Sequence, residues 1–332
     1  MSGAAMGGTK FLRFIVQRGL KMVVMIFAII TANFLLVHAA PGDPASVMAG
    51  EAGAADPQFM EQLRSQFGLD KPLSTQLWLY ISHVAQGDLG MSYRQQRPVA
   101  GLILERLSAT LLLTGTAFML AIAGGIALGA LAARHVGKIS ETLITILALG
   151  LYATPIFWVG LMLVLVFSVW LDWLPSFGMN TVGMDYHGFA AVLDTARYLL
   201  LPALTLGLFY MAVYARLTRA AMLEVTSQDF VRTARAKGVP EGQVQRLHVL
   251  RNALLPVITV AGIQAGQLIG GSILVETVFA WPGIGRLAFD ALLARDYQIL
   301  LGVFLVTSVL VLVFNLITDL LYAWIDPRVE VL

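Results

Sequence analysis

Residues 107–133 read LSATLLLTGTAFMLAIAGGIALGALAA, 27 consecutive positions without Asp, Glu, Lys or Arg. A hydrocarbon core about 30 Å thick takes roughly 20 apolar residues of α-helix to cross, and this run exceeds that length. Five more stretches share the property: 22–42, 142–171, 198–215, 253–275 and 297–318, the last within an expected sixth span at 297–325. None alternates apolar with polar residues as a barrel strand does, and in lipid a helix satisfies its backbone N–H and C=O groups within its own segment. The expected fold class is all-α, a polytopic membrane protein with six transmembrane helices.

Composition agrees. Of 332 residues, 58% are hydrophobic and only 13% charged, about half the charged share with which a soluble domain covers its surface. The absence of cysteine excludes disulfides, thiolate metal sites and cysteine nucleophiles. The net charge of +2 carries little information, but the placement of the basic residues carries more. Lys10, Arg13, Arg18 and Lys21 precede the first span, Arg134 and Lys138 lie between the second and third, and seven Lys or Arg lie in 216–252. Basic residues concentrate in the cytoplasmic connections of membrane proteins, so 1–21 is predicted to be a cytoplasmic N-terminal segment and both termini cytoplasmic. A cleavable signal peptide ending near Val37-His38-Ala39 is the competing reading of the first span. Its apolar run is longer than the ~7–15 residues of such peptides and contains Thr31 and Asn33, which favours a retained helix.

The connections follow from this topology. Residues 43–106 form an external segment with small helices, expected at 57–67, where Phe59, Leu63 and Phe67 recur every four residues, and at 77–84. Residues 172–197 and 276–296 are the other external loops. The second of these holds Trp281-Pro282-Gly283-Ile284-Gly285 before a stretch with Leu287, Ala291 and Ala294, which reads either as an interfacial helix anchored by Trp281 or as a partner-docking helix. In the cytoplasmic loop 216–252, residues 222–237 lack Gly and Pro and can continue as helix. Gly238 suits a left-handed C-cap, and Pro240 suits the first turn of a new helix. The resulting hairpin carries its seven basic residues against Glu224, Asp229 and Glu241. That charge reads as topology and lipid contact, or as attraction to an acidic partner surface. Nucleic-acid binding does not fit a hairpin held between two spans.

The chain lacks the parts for chemistry of its own. There is no phosphate-binding Gly-x-x-x-x-Gly-Lys-Ser/Thr loop; the nearest approach, Gly137-Lys138, runs on into Ile139. His38, His83, His135, His187 and His248 stand apart, with no metal-ligand spacing, and no nucleophile motif is present. The spans are nearly bare of ionisable residues apart from Asp319, which counts against a proton- or sodium-coupled carrier. On the fifth span Gly262, Gly266 and Gly270 recur at spacing four and form an expected packing face. Gln264, Gln267 and Gly271 occupy another arc, which reads as pathway lining or as hydrogen bonding between helices. Pro155 and Pro202 interrupt the third and fourth spans, where they permit kinks that line a cavity or simply serve packing.

Residues 229–238, DFVRTARAKG, followed by LRNALLP at 250–256, resemble the cytoplasmic coupling segment of ABC importer permeases. PGDP at 41–44, GDLG at 87–90 with Ser92, and WPGIG at 281–285 extend the resemblance to the dipeptide/oligopeptide/nickel branch, and within it to the B-type peptide permease subunit. Arg232-Thr233-Ala234 stands where the broader importer signature has Glu-Ala-Ala, a departure that points towards the peptide branch. The resemblance implies a type I ABC importer permease fold in the bacterial inner membrane. It implies coupling to an ATP-binding subunit through Glu224, Asp229, Arg232, Thr233, Ala234, Arg235, Lys237 and Gly238. It also implies a second, homologous permease, two ATP-binding subunits that carry ATP and Mg, and an external solute-binding protein. Di- and oligopeptides are then the expected cargo, with nickel chelates, glutathione or opines as alternatives on the same machinery. A stand-alone carrier or channel is the reading from another class.

Overall fold

The computed structural model describes residues 8–39, 70–92 and 94–325. The expected helix at 57–67 and the Pro41-Gly42-Asp43-Pro44 motif lie outside them. Within the described residues the chain divides into two units, one drawn from Met1–Leu107, Leu287–Leu316 and Ala323–Leu332, the other from Ser108–Arg286 and Ile317–Tyr322. Among the described residues, five helices are long and apolar enough to cross a membrane, and a bent helix pair makes a sixth span if counted as one.

In the first unit, α1 (Gly8–Ala39) carries the first apolar run. Phe27, Leu35 and Leu36 are more than half exposed along it, as expected where lipid rather than protein meets the helix. Helix α2 (Leu73–Ala85) packs on α1: Gln76 Oε1 lies 3.0 Å from His38 Nε2, and the Tyr80 and Phe34 rings are 6.1 Å apart. Gly87 and Gly90, with φ of 80° and 81°, turn the chain into a two-stranded ribbon, β1 (Met91–Ser92) against β2 (Arg97–Pro98). Ser92 Oγ then donates to Asp296 Oδ2 at 2.6 Å, with both residues buried. The Gly-Asp-Leu-Gly motif and Ser92 thus serve as a turn and an anchor.

Helix α3 (Val99–Arg134) contains the uncharged run 107–133. In the second unit it meets α6 (Phe189–Thr226), a 38-residue helix that carries Pro202 in its interior without breaking. The contact is nearly backbone to backbone. A Cβ on Gly125 would collide with Tyr214, and one on Gly129 would sit 2.5 Å from the Ala215 carbonyl oxygen. Leu113, Leu201, Leu206 and Tyr214 fill the core around this crossing, each at 0% exposure.

The stretch expected as one span at 142–171 is two helices. Helix α4 (Ile139–Ala153) stops at Thr154, whose φ of −87° and ψ of 135° are extended, and α5 (Ile156–Val164) leaves at 107° to it. Steric conflict with the ring of a following proline drives the preceding residue out of the helical region, so Pro155 breaks the span at Thr154. Helix α5 passes into a π-helical stretch, Leu165–Trp170.

The continuous helix expected over 222–237 is also divided. Helix α6 ends at Thr226; Gln228 is extended, with ψ of 152°, and α7 (Asp229–Ala236) begins a separate turn. Gly238 follows with φ of +78°. Pro240 caps α8 (Glu241–Gln243), which runs through a π-helical stretch, Val244–Leu250, into α9 (Arg251–Val278). Met222, Val231, Val244 and Val249 are wholly buried between these elements, with Ala130 of α3 beside them, so the hairpin shares its core with the spans. Helices α10 (Ile284–Ala294) and α11 (Tyr297–Ile325) complete the described chain.

Replacing Gly129 with Val places a side chain against the Ala215 backbone, which cannot move aside as a flexible side chain can. The substitution is expected to destabilise the purified protein by about 1–3 kcal/mol, read as a lowered thermal midpoint in detergent. Gly150→Ala, whose Cβ meets nothing within 4 Å, is the matched control and should leave the midpoint unchanged or raise it. Equal midpoints for the two variants would mean that the α3–α6 crossing does not depend on the glycine.

Candidate functional site

The residues singled out in the sequence fall into two places within the second unit. The first is the α7 hairpin. Val231 and Ala234, three residues apart, face its core, while Phe230, Arg232, Thr233 and Lys237 are exposed on the outer side. Asp229 opens the helix, where a carboxylate favours the N-terminal end of the dipole. Thr233 Oγ1 donates to the Asp229 carbonyl at 2.9 Å, and Arg232 approaches the Asp229 carboxylate at 3.4 Å. Both charged groups are more than 70% exposed, so this pair contributes little. Arg235 is better held: its Nε and Nη2 donate to the two oxygens of Glu241 at 3.0 and 2.9 Å, which ties α7 to α8 and raises the guanidinium pKa further above its usual value. Gly238 N–H donates to Arg235 O and Val239 N–H to Ala234 O, which closes the turn between the two arms. Glu224 is exposed in the last turn of α6, and its carbonyl accepts from Ser227 N–H and Oγ.

The second place is a cavity of about 670 Å³ bounded by α4, α6 and α9. Gln264 and Gln267 both line it, together with Tyr152, Tyr210 and Arg216. The Pro155 break borders a neighbouring cavity of about 440 Å³, and Tyr152, Phe209 and Tyr210 are common to both. Tyr152 stacks on Phe209 with ring centroids 5.4 Å apart, and the Arg216 guanidinium sits over the Tyr152 ring, 5.6 Å from its centroid. Arg219 also lines the cavity, but its guanidinium is engaged by the Glu141 carboxylate, which accepts from Gly137 N–H as well. The glycines expected as one packing face behave differently from one another. Gly262 lies against Thr318, whose Oγ1 donates to its carbonyl at 3.1 Å; Gly266 is buried; Gly270 faces open space within this chain. Gly271 lies in α9, and its surroundings fall outside the described residues.

Sequence reading missed a third feature. Glu276, beyond the apolar part of α9, is 0% exposed. Thr110 Oγ1 and Ser272 Oγ donate to its Oε1 at 2.8 and 3.1 Å, and Arg286 N–H donates to its Oε2 at 3.0 Å. The Glu276 carbonyl accepts from Trp281 N–H, and Ile284 N–H donates to Thr110 Oγ1. Burial pushes the carboxyl above the ordinary range, against the pull of its hydrogen bonds. Trp281 is 0% exposed and donates its indole N–H to Ala109 O at 2.9 Å. The expected interfacial anchor is therefore a core residue, and Gly283 is small because a Cβ there would collide with the Glu276 carboxylate. The signal was present as a lone acid at the edge of an apolar run, five residues before Trp-Pro-Gly-Ile-Gly.

Comparison with known proteins matches residues 125–331 to the family described as the binding-protein-dependent transport system inner membrane component, and residues 11–114 to the N-terminal part of such membrane components. Curated relatives include the glutathione transport system permease protein GsiC of Escherichia coli strain K12 and that of Shigella dysenteriae serotype 1. Each is 42% identical over 319 residues, 96% of this chain and 99% of the relative. Among solved structures, an inward-facing methionine ABC transporter MetNI aligns with a TM-score of 0.53 at 18% identity, over 68% of this chain and 96% of that one. An amino acid ABC transporter aligns with a TM-score of 0.50 at 16% identity, over 68% and 94%. These two similarities concern the fold.

Glu276→Gln keeps the shape of the side chain but turns one acceptor into an NH₂ among donors. A loss of about 1–3 kcal/mol is expected from the unmade hydrogen bonds, measured as a lower thermal midpoint of the purified protein. A midpoint equal to that of the parent would show that the buried carboxylate does not hold the 281–286 turn.

Proposed function

Because the chain belongs to the family of binding-protein-dependent transport system inner membrane components, and is a permease subunit of an ABC importer of that kind, we propose that its cargo is a small peptide. Glutathione-like tripeptides are included, and coupling to ATP passes through the α7 hairpin. The observation that carries the cargo reading is the 42% identity, over nearly the whole length, to permeases named for glutathione transport. A passage lined by glutamine amides and aromatic rings also suits such a solute, because uncharged amides exchange hydrogen bonds with a peptide without trapping it. Burying each unpaired peptide group in lipid costs roughly 2–7 kcal/mol, so a peptide needs a polar route across the membrane.

In this reading the chain pairs with a second, homologous permease, and two ATP-binding subunits seat against the exposed side of α7. Both termini and the hairpin lie on the cytoplasmic face, and an external solute-binding protein delivers the cargo. ATP and Mg belong to the partner subunits; the chain itself transmits motion and catalyses nothing. Phe230, Arg232 and Lys237 form the outward surface of α7, while Val231 and Ala234 lock the helix to the ends of the spans. A push on α7 therefore reaches α6 and α9 through packed side chains, and both helices border the cavity.

The reading is tested by purifying the chain with its native partners and measuring ATP-driven uptake of glutathione and of dipeptides into liposomes. Uptake that requires ATP and the solute-binding protein supports it; uptake by the chain alone identifies a self-contained carrier instead. Gly238→Val tests the coupling route. The left-handed conformation costs a β-branched residue about 1–2 kcal/mol, so solute-stimulated ATP hydrolysis should fall several-fold while the complex still assembles. Unchanged stimulation would remove the hairpin angle from the coupling path.

A further inference from the structure

The cavity between α4, α6 and α9 holds two unsatisfied groups of opposite character. Arg216 is exposed to it and forms no ion pair among the described residues; its guanidinium rests over the Tyr152 ring. Arg219, one turn further along α6, has its charge matched by Glu141. Among the described residues no Asp or Glu lines the cavity. Arg216 is thus an uncompensated cation with its planar set of N–H donors available. The other group is Gln264, which lines the cavity; its Oε1 is turned into the protein and accepts no hydrogen bond among the described residues, so a solute N–H reaches it once the amide rotates towards the cavity. A buried acceptor left empty in this way costs free energy that a donor supplied from outside recovers.

We infer that this cavity is a solute subsite that takes a carboxylate-bearing peptide, with Arg216 binding the carboxylate and Gln264 accepting a hydrogen bond from a peptide N–H. The volume of about 670 Å³ falls within the ~300–1,000 Å³ of sites for small molecules. The walls supply the rest of the recognition: the faces of Tyr152 and Tyr210 cover the apolar parts of the solute, and Gln267 adds a second amide at the rim. A lipid phosphate would also satisfy Arg216, but its ester oxygens bring no donor to Gln264. The empty buried acceptor is the feature that selects a peptide over a phosphate. This inference rests on the peptide-cargo reading and narrows it to solutes with a free carboxylate.

The experiment uses the assembled complex in phosphatidylcholine nanodiscs without solute-binding protein, with tritiated glutathione as probe. Saturable binding is expected, and unlabelled tripeptides with a free C-terminus should compete about ten-fold better than their C-terminal amides, as follows from losing a charge-assisted hydrogen bond. Arg216→Gln should weaken binding by a similar factor, Arg216→Lys should retain most of it, and Gln264→Leu should weaken it several-fold. Equal competition by acid and amide overturns the subsite, and that comparison needs no variant to fold. Absence of saturable binding, or Arg216→Gln binding like the parent, overturns it as well. So does displacement of the probe by phosphatidylglycerol that depends on Arg216 while acid and amide remain equivalent, which would assign the site to lipid phosphate. Uptake into liposomes separates the two levels. Normal glutathione uptake with no Arg216 dependence of binding removes the subsite and leaves the cargo reading standing. A parent complex that takes up no peptide removes the cargo reading, and the acid-against-amide comparison still decides what the cavity binds.

Discussion

The crossing of α3 and α6 sets the distance on which the second unit is built. Two helices normally stand about 8–10 Å apart, held off by their side chains. At Gly125 and Gly129 there are none on one side, and α3 comes up against the backbone of α6 at Ala215 and the stem of Tyr214. In lipid no hydrophobic effect drives helices together, so contact of this kind, made of close packing over small residues, is what association rests on. Helix α6 then presents Tyr210 and Arg216 to the cavity and, at its far end, Met222 and Val225 to the hairpin core. A helix of 38 residues fixed along one side carries both functional regions in a set relation to one another.

At the opposite end of α9, a carboxylate replaces apolar packing as the organising device. Glu276 gathers donors from α3, from its own helix and from the turn at 281–286, and the buried Trp281 has its indole N–H satisfied by Ala109 O. A buried acid of this type is costly unless every oxygen is bonded, and here hydroxyl and backbone donors bond both oxygens. The glycines of the turn are explained by the same crowding: Gly283 leaves room for the carboxylate, and Gly285 lies against the backbone of Ile273.

The relation between coupling and transport follows from shared packing. The hairpin has no core separate from the spans; its buried residues come from α6, α7, the π-helical stretch and α9, with Ala130 of α3. Interiors packed in this way move as units and do not deform gradually. In the proposed importer, a displacement of α7 is a displacement of the helices that carry Arg216 and Gln264. Departures from regular helix occur at Thr154-Pro155, where the chain turns by 107°, and in the two π-helical stretches.

Length and apolarity determined the spans, because the thickness of a bilayer imposes the same demand on any sequence that crosses it. The Lys and Arg distribution, the left-handed Gly238 and the glutamine pair on the fifth span could also be read directly, since each depends on local geometry or helical periodicity. Tertiary structure decided which neighbours those residues meet. Trp281 is a core residue and not a surface anchor because α3 offers it a carbonyl. Gly262 is tight against Thr318 while Gly270 meets nothing within 4 Å among the described residues, although both stand on the same row. The 107° break at Pro155 required both the steric rule, which is local, and a partner helix for each half, which is not. Glu276 and Arg216 gained their meaning from partners that include distant residues, Thr110 for the first and Tyr152 for the second, since burial and charge matching are properties of an environment and no chain segment carries them alone.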